Sequence, residues 1–215
     1  MATPSKVIGI ARNRRDLATE TIGPGVGFGT PVRGDDDPIQ MFIKAPGALA
    51  GAADGAARRS GHRRTDPEAE LSLVIGKAGT AIQRERALDH VFGYCIGLDM
   101  TLRGKESMSS RKSIDSYAVL GPWIVTADEI ADPDNMATRL LINGAVLQET
   151  NTCDLAFDVR NLIVHASSFY TLHPGDVIMV GSPAGFAQVE PGDAMVADSA
   201  GIGRMEVLVR AHGAG

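Results

Sequence analysis

Short apolar runs separated by turn-forming residues dominate the chain. Runs rich in strand-forming residues predict β-strands, and these are Val7–Ala11, Met41–Lys44, Glu70–Ile75, Val91–Leu98, Trp123–Val125, Asp176–Val180 and Arg204–Arg210. Two further apolar runs, Arg139–Ile142 and Ala145–Gln148, flank the pair Asn143-Gly144. Because Asn-Gly favours the tight turn of a two-residue hairpin, this segment predicts a β-hairpin.

Helical periodicity is pronounced in one place. Apolar residues at positions 155, 159, 162, 163 and 166 have the spacing of one helix face and predict a helix over Asp154–Tyr170. Asp154 is the predicted N-cap of this helix, and a shorter helix is predicted over Gln83–His90. Many short strands with one long helix indicate an α+β fold that is mainly β.

Two glycine-rich segments interrupt the regular pattern. The segment Thr21–Pro38 is rich in glycine and then in aspartate, which favours a loop. A linker and a lid over a site are equally good interpretations, since long loops in compact domains often serve function. Gly47–Gly61 predicts a second flexible connection. We expect one domain over residues 1–215, with a lid-like segment at about 14–37.

Composition narrows the class of protein. Hydrophobic residues make up 44% and charged residues 22%, which allows a packed core, and the net charge of −5 argues against a nucleic-acid partner. The arginines between positions 58 and 64 are interpreted as a solvated loop. Cys95 and Cys153 have no zinc or disulfide spacing. Neither a signal peptide nor a run of membrane-spanning length is apparent, so we expect no membrane partner and a cytoplasmic location.

Three acidic residues are candidates for a metal site. Glu68 and Glu70 lie two positions apart at the start of a predicted strand, so their carboxylates point to the same face. Asp99 ends another apolar strand, where a buried charge needs a partner. Three carboxylates suit magnesium or manganese rather than zinc. The spacing alone is weak, because most such pairs lie on a solvated strand face.

Five ordered segments resemble the fumarylacetoacetate hydrolase family. They are EAELSLVIGK at 68–77, FGYCIGLDMTLRG at 92–104, RKSIDSYAVLGPWIVTADEI at 111–130, NGAVLQETNTCDLAF at 143–157 and TLHPGDVIMVGSPAGF at 171–186. ARN at 11–13 and FIKAP at 42–46 extend the resemblance more loosely toward the N-terminus. Their order and spacing are far more specific than any single segment.

The resemblance implies a fold, a cofactor and a set of roles. The fold is a mixed β-roll or sandwich with few short helices, usually in a homodimer. Three carboxylates that bind Mg²⁺ or Mn²⁺ fall on Glu68, Glu70 and Asp99. The active-site lysine falls on Lys112, and the substrate-facing arginine on Arg103, which would anchor a distal carboxylate. A hydroxyl donor for a substrate carboxylate falls on Ser182. The substrate expected from the resemblance is a small 2-oxo acid that chelates the metal.

The N-terminal segment departs from the family pattern. Hydrolytic members carry a histidine and a glutamate there, and the pair activates water. Glu20 matches the glutamate, but Leu17 stands where the histidine is expected, and leucine cannot carry a proton. His62, in the flexible stretch before the metal-ligand candidates, is a weak substitute. The family's arginine-aspartate pair is also altered, to Arg103-Gly104.

Three functions remain open on the sequence. The favoured hypothesis is metal-dependent hydrolysis of a C–C bond in an acylpyruvate, such as fumarylpyruvate or maleylpyruvate from aromatic-compound catabolism, with Glu20 or metal-bound water as base. Loss of water activation would instead favour a 2-oxo acid decarboxylase or a keto–enol isomerase, which need enolate stabilisation more than a hydrolytic base. The third hypothesis is a 2-oxo-acid-binding protein without turnover.

Overall fold

The computed structural model describes residues 3–14 and 39–213. Most of the predicted lid-like segment therefore lies outside the described residues. The strands are β1 (Val7–Ala11), β2 (Gln40–Lys44), β3 (Leu49–Gly51), β4 (Ala56–Arg58), β5 (Thr65–Asp66), β6 (Ala69–Ile75), β7 (Val91–Asp99), β8 (Thr101–Leu102), β9 (Ala118–Thr126), β10 (Ala137–Ile142), β11 (Ala145–Asn151), β12 (Val177–Met179), β13 (Ala194–Ser199) and β14 (Gly203–Ala211). The α-helices are α1 (Met108–Lys112) and α2 (Val159–Phe169).

The strands form two larger sheets and one ribbon. Seven strands pair in the order β2-β1-β12-β6-β7-β9-β3, and five pair in the order β11-β10-β13-β14-β4. The ribbon of β5 and β8 continues the antiparallel pairing of β6 with β7, because β5 precedes β6 and β8 follows β7. This architecture confirms the predicted fold class. In the described residues, no helix is long and apolar enough to cross a membrane.

The main core contains side chains from both larger sheets and from one face of α2. Leu73, Ile96, Leu140 and Val207 of the sheets are fully buried in this core, together with Leu162 of the helix. The alternation of buried and exposed positions along β14 shows that one face of the five-stranded sheet packs on the core. Aliphatic packing of this kind agrees with the low aromatic content of 5%.

The helix α2 begins later than the sequence predicted. Its N-cap is Asp158, whose side chain accepts a hydrogen bond from the backbone of Asn161 at 2.8 Å. Asp154 instead ends a short 3₁₀ turn, and the backbone is extended at Leu155, so the prediction of Asp154 as N-cap is wrong. The reason is tertiary: Leu155 is buried in the core and forms an isolated bridge with Arg14.

The segment Gly47–Gly61 is more regular than predicted. It contains β3, which pairs with β9 at the edge of one sheet, and β4, which pairs with β14 at the edge of the other. Its alanines are small enough to pack closely, and Ala48, Ala56 and Ala57 are buried. A flexible connection was predicted because composition carries no information about strand pairing with distant segments.

The predicted hairpin is confirmed. β10 and β11 pair antiparallel, and their turn residues Asn143 and Gly144 have φ angles of 49° and 84°. These positive angles are those of the tight turn that Asn-Gly favours. β13 was missed, and β9 is longer than the predicted strand over Trp123–Val125. Both strands gain their backbone partners from distant segments, which local patterns do not reveal.

A buried aspartate fastens the start of β1 to the start of β12. Asp176 accepts hydrogen bonds from the backbone and hydroxyl of Ser5, from the backbone and ammonium of Lys6, and from the backbone of His173. Burial alone would raise the pKa of Asp176, but the hydrogen bonds from Lys6 and Ser5 outweigh it and lower the pKa. The ionised carboxylate is therefore the form that stabilises the fold.

We expect Asp176→Asn to lower the free energy of unfolding by about 2 kcal/mol at neutral pH, since hydrogen bonds to charged groups contribute amounts of this order. Because the pKa is lowered in the folded state, this contribution is present above the ordinary aspartate pKa of about 4 and is lost as the pH falls through the folded value. Urea unfolding of the unmodified protein and of Asp176→Asn, at pH 7 and at pH 3, measures the difference in the free energy of unfolding between the two proteins at each pH. An equal difference at both pH values would contradict this role for the charge.

Candidate active site

The antiparallel pair β6–β7 brings the three acidic candidates together. Glu70 lies opposite Gly97, and the backbone N–H of Asp99 donates to the carbonyl of Glu68 at 2.8 Å. Glu68, Glu70 and Asp99 are buried, and each offers a carboxylate oxygen, all within 4.8 Å of one another. The convergence expected from the sequence is present, while metal ligation by these residues stays a prediction.

Two lysines contact the carboxylate cluster. The ammonium of Lys112, at the end of α1, donates to Glu68 at 2.6 Å and to Asp99 at 2.7 Å. The ammonium of Lys44, at the end of β2, donates to the other oxygen of Asp99. Glu70 receives no ammonium in the described residues and accepts from the backbone N–H of Gly181 at 2.7 Å. The five side chains therefore carry three negative and two positive formal charges.

The surroundings shift the pKa values of Glu68 and Glu70 in opposite directions. Burial raises the pKa of Glu68, but Lys112 and Arg103 outweigh it and hold the pKa at about 2. The pKa of Glu70 is raised well above its usual range, first by burial and then by the negative charge of Asp99. Burial works against the charged form of Lys112, yet the three carboxylates outweigh it and raise its pKa. Among the described residues, Glu70 is thus the carboxylate of the cluster without a direct hydrogen bond from a cationic side chain.

This donor set fits a hard divalent cation. The three ligand candidates offer oxygen atoms only, which suits Mg²⁺ or Mn²⁺ better than a metal that prefers nitrogen or sulfur. A divalent cation beside Glu70 would supply the charge that this buried carboxylate lacks. The residues present fit the predicted cofactor.

Lys44 is a site residue that sequence reasoning missed. It is fully buried, and its pKa is lowered by desolvation, which Asp99 only partly offsets. The available signal was its position at the end of the apolar run MFIK within the FIKAP segment. A lysine there must find a negative partner if the strand end is buried.

Arg103 is fixed by two buried acids. Its Nε donates to Asp66 at 2.8 Å, and one terminal nitrogen donates to Glu68 at 2.9 Å. Asp66 also accepts from Arg64 at 2.6 Å, and Arg64 reaches the carbonyl of Phe186 at 2.9 Å. The guanidinium of Arg103 lies 4.8 Å from the ring centre of Phe186. Asp66, missed by sequence reasoning, therefore connects the ribbon β5–β8 to the carboxylate cluster.

Gly104 makes room for another arginine. A Cβ placed on Gly104 would lie 2.0 Å from a terminal nitrogen of Arg63. The guanidinium of Arg63 donates to the carbonyl of Arg103 at 2.9 and 3.1 Å and forms two bonds of 2.8 and 2.9 Å with Glu106. The departure from an aspartate at position 104 is thus accompanied by a side chain that fills the space.

Arg63 and Arg64 lie in a loop, as expected, with 35% and 33% of their side chains exposed, but both also make specific contacts. Both contact the segment that carries Arg103, because the carbonyl of Arg103 and the carboxylate of Asp66 attract them there. Arg58 likewise belongs to β4 and pairs with Glu190.

The remaining candidates lie around or beyond this cluster. Ser182 is half-buried and directly follows Gly181, whose N–H contacts Glu70. The side chain of Asn13 bonds Phe157 and the carbonyl of Val180, and so holds the ARN segment beside that turn. Glu20 and Leu17 lie outside the described residues, so their predicted roles stay predictions. His62 is exposed.

Known proteins resemble this chain over most of its length. A family model described as Fumarylacetoacetate (FAA) hydrolase C-terminal matches residues 6–210. The maleylpyruvate hydrolase of Aquipseudomonas alcaligenes is 52% identical over 170 residues, which cover 79% of this chain and 59% of that protein. A 4-hydroxyphenylacetate degradation bifunctional isomerase/decarboxylase of Salmonella dublin is 36% identical over 170 residues, which cover 77% of this chain and 40% of that protein.

A solved structure of another maleylpyruvate hydrolase is also similar to this chain. The maleylpyruvate hydrolase of Sphingobium sp. SYK-6, in complex with manganese(II) and pyruvate, has a TM-score of 0.83 at 32% identity. The match covers 97% of this chain and 71% of that one. The chain spans less than two thirds of the length of the two curated relatives above.

We expect Glu70→Gln to weaken Mn²⁺ binding by about a hundredfold or more, since even the loss of a group supporting a metal ligand costs up to about that factor. Because Glu70 has no ammonium partner among the described residues, the variant leaves no lysine unpaired there and should fold. Calorimetric titration with Mn²⁺ measures the affinity, with the exposed Glu206→Gln as a matched control. Unchanged affinity in a folded Glu70→Gln protein would refute the ligand assignment.

Proposed function

The chain belongs to the fumarylacetoacetate hydrolase family, and on this premise we propose that it hydrolyses a C–C bond in an acylpyruvate-type 2-oxo acid. The products are pyruvate and a second acid, and the cofactor is Mg²⁺ or Mn²⁺. The observation that carries the proposal is the convergence of three buried carboxylates with the ammonium of Lys112. The similarity to a maleylpyruvate hydrolase supports the choice of substrate class.

In the proposed mechanism, Glu68, Glu70 and Asp99 hold the cation. When bound, the cation would act as a Lewis acid toward the keto and carboxylate oxygens of the substrate. Lys112 binds Glu68 and Asp99, and Lys44 binds Asp99, so the lysines fix which oxygens these two carboxylates present.

Lys112 has a second role in this mechanism. Breaking the C–C bond leaves negative charge on the pyruvate enolate, and an ammonium held beside the cluster stabilises that charge. Lys112 lies 5.3 Å from the ring centre of Phe42, and its amine is buried. Its charge therefore acts in a medium of low dielectric constant, where it has more effect than in water.

Arg103 and Ser182 are the proposed substrate-binding residues. The ion pairs with Asp66 and Glu68 fix the orientation of the Arg103 side chain, and its positive charge faces a buried site. The hydroxyl of Ser182 can donate a hydrogen bond to a substrate carboxylate. Both contacts would orient the 2-oxo acid before the bond breaks.

Hydrolysis also requires removal of a proton from water. Glu20 is the proposed base, and its carboxylate would accept the proton as the water oxygen attacks the acyl carbonyl. The C–C electron pair then passes to the enolate, which takes up a proton to become pyruvate. The absence of a histidine at position 17 leaves Glu20 without the family's usual partner.

Leu17 is also the observation that favours a second candidate function. A decarboxylase or keto–enol isomerase needs the cation and Lys112 but no activated water. The relative with isomerase and decarboxylase activities in its name supports this alternative. A protein that binds 2-oxo acids without turnover is the third possibility.

We further infer a homodimer and a cytoplasmic location. The dimer rests on the family resemblance. The location is supported by the similarity to a bacterial maleylpyruvate hydrolase, whose substrate is a small molecule.

Turnover of a substrate panel tests the proposed function. The Mn²⁺-loaded protein should release pyruvate and a second acid from maleylpyruvate or fumarylpyruvate. Lys112→Met should lower kcat by about a hundredfold or more, an amount typical for loss of one electrostatic stabiliser, while the exposed Lys77→Met serves as control. Coupled detection of pyruvate measures the rate.

Other outcomes of the panel would redirect the assignment. Carbon dioxide from oxaloacetate without acylpyruvate cleavage would replace hydrolysis by decarboxylation. An ultraviolet change without a change of mass would indicate isomerisation. Tight oxalate binding with no turnover would leave only the binding protein.

Leu17→His should raise the hydrolytic rate if Glu20 acts as base, because a histidine at that position can share the proton transfer. We expect a gain of about tenfold or more, which is below the range of about 100- to 10,000-fold for general acid–base catalysis because Glu20 already acts as base. The rate of pyruvate release from the better acylpyruvate measures the effect, with Leu17→Gln as a control that cannot transfer protons. A gain equal in both variants would argue against base catalysis at this position.

A further inference from the structure

One arginine beside the active site keeps its terminal nitrogens open. Arg111 precedes Lys112 on α1 and is half-buried. Its Nε donates to the carbonyl of Glu106 at 3.0 Å. Within the described part of the chain, neither terminal nitrogen of Arg111 has a hydrogen bond or an ion pair.

The neighbouring arginines are already occupied. Arg103 gives its Nε to Asp66 and a terminal nitrogen to Glu68, while Arg63 gives both terminal nitrogens to Glu106. The edge of Arg103 formed by those two nitrogens is therefore turned toward protein carboxylates. Arg111 is the member of this cluster whose planar fork remains available.

Two other arginines, Arg103 and Arg63, contribute positive charge around Arg111. Its pKa is lowered by burial and then by the charges of Arg103 and Arg63, despite the opposing effects of Glu68 and Glu106. A half-buried guanidinium without an anion is costly, and a carboxylate matches its fork with two parallel hydrogen bonds. Hydrogen bonds connect Arg111 to the carboxylate cluster: its Nε contacts Glu106, Glu106 pairs with Arg63, and Arg63 donates to the carbonyl of Arg103, whose side chain contacts Glu68.

We propose that Arg111 binds a second carboxylate of the substrate, at the end remote from the 2-oxo acid group, and so selects dicarboxylic acylpyruvates. This inference rests on the proposed function and deepens it. In this division of roles, Arg103 orients the 2-oxo acid end of the substrate, and Arg111 supplies the fork for the distal carboxylate, which the family resemblance had placed on Arg103. No covalent step involves Arg111, so it is a specificity-determining residue.

Matched substrates test the selection. Arg111→Gln should lower kcat/KM for maleylpyruvate or fumarylpyruvate by about 10- to 100-fold, as expected for loss of a charge-assisted pair, mainly through KM. The same variant should change kcat/KM for acetylpyruvate, which has no distal carboxylate, by less than about twofold. Arg111→Lys keeps the charge without the fork and should lie between. Arg86→Gln, on an exposed arginine paired with Asp89, is the control.

Binding of unreactive ligands separates this inference from the proposed function. The Mn²⁺-loaded protein should prefer 2-oxoheptanedioate to 2-oxoheptanoate by about tenfold or more in calorimetry, since the two differ only by the distal carboxylate. Arg111→Gln should abolish that preference. If the preference depends on Arg111 while no acylpyruvate is cleaved, the proposed function fails and this inference stands.

Two outcomes would overturn the assignment of Arg111. An equal loss on maleylpyruvate and acetylpyruvate would show that the side chain only supports α1 and the preceding loop. If Arg111→Gln still preferred 2-oxoheptanedioate to 2-oxoheptanoate by the same factor, another residue would bind the distal carboxylate.

Discussion

The site depends on one constraint: three carboxylates lie close together in a buried position, where their negative charges repel one another. The pairing of β6 with β7 forces this proximity, because the backbone bond between Asp99 and Glu68 joins the ends of the two strands. Mutual repulsion is relieved by Lys112 and Lys44, which arrive from other parts of the chain. A buried carboxylate without a cationic partner is stabilised either by a proton or by a further positive charge, and the second route is the physical basis for the proposed metal.

The structure around the cluster maintains this charge balance. The ribbon β5–β8 places Asp66 and Arg103 next to Glu68. Gln148 of β11 accepts from the backbone of Ala69 at 3.0 Å, and so fixes the chain between the two glutamates. The second sheet thus takes part in positioning the two glutamates as well as in closing the core.

Much of the fold was accessible from local patterns. The strands β1, β6 and β7 have strong apolar runs, and the Asn143-Gly144 turn has its own chemical signature, so these elements appear close to their predicted bounds. β3 and β4 could not be predicted, because their alanine-rich sequences become strands only through pairing with β9 and β14. The start of α2 was misplaced since burial of Leu155 overrides the helical spacing.

The site was predictable where residue type and position act together. The three carboxylates were candidates from their spacing and Lys112 from the family resemblance alone, and the structure brings the four side chains together. Lys44 was not identified, because its partner Asp99 lies on a strand far away in the sequence. The same holds for Arg63, whose place beside Gly104 depends on a contact between distant segments.

The central claim is that a cation held by Glu68, Glu70 and Asp99 directly contacts a keto-carboxylate ligand. Electron paramagnetic resonance of the Mn²⁺-loaded protein with ¹⁷O-labelled oxalate tests it most directly. We predict broader Mn²⁺ lines with the labelled ligand than with unlabelled oxalate. Identical spectra under conditions where oxalate is bound would contradict the account.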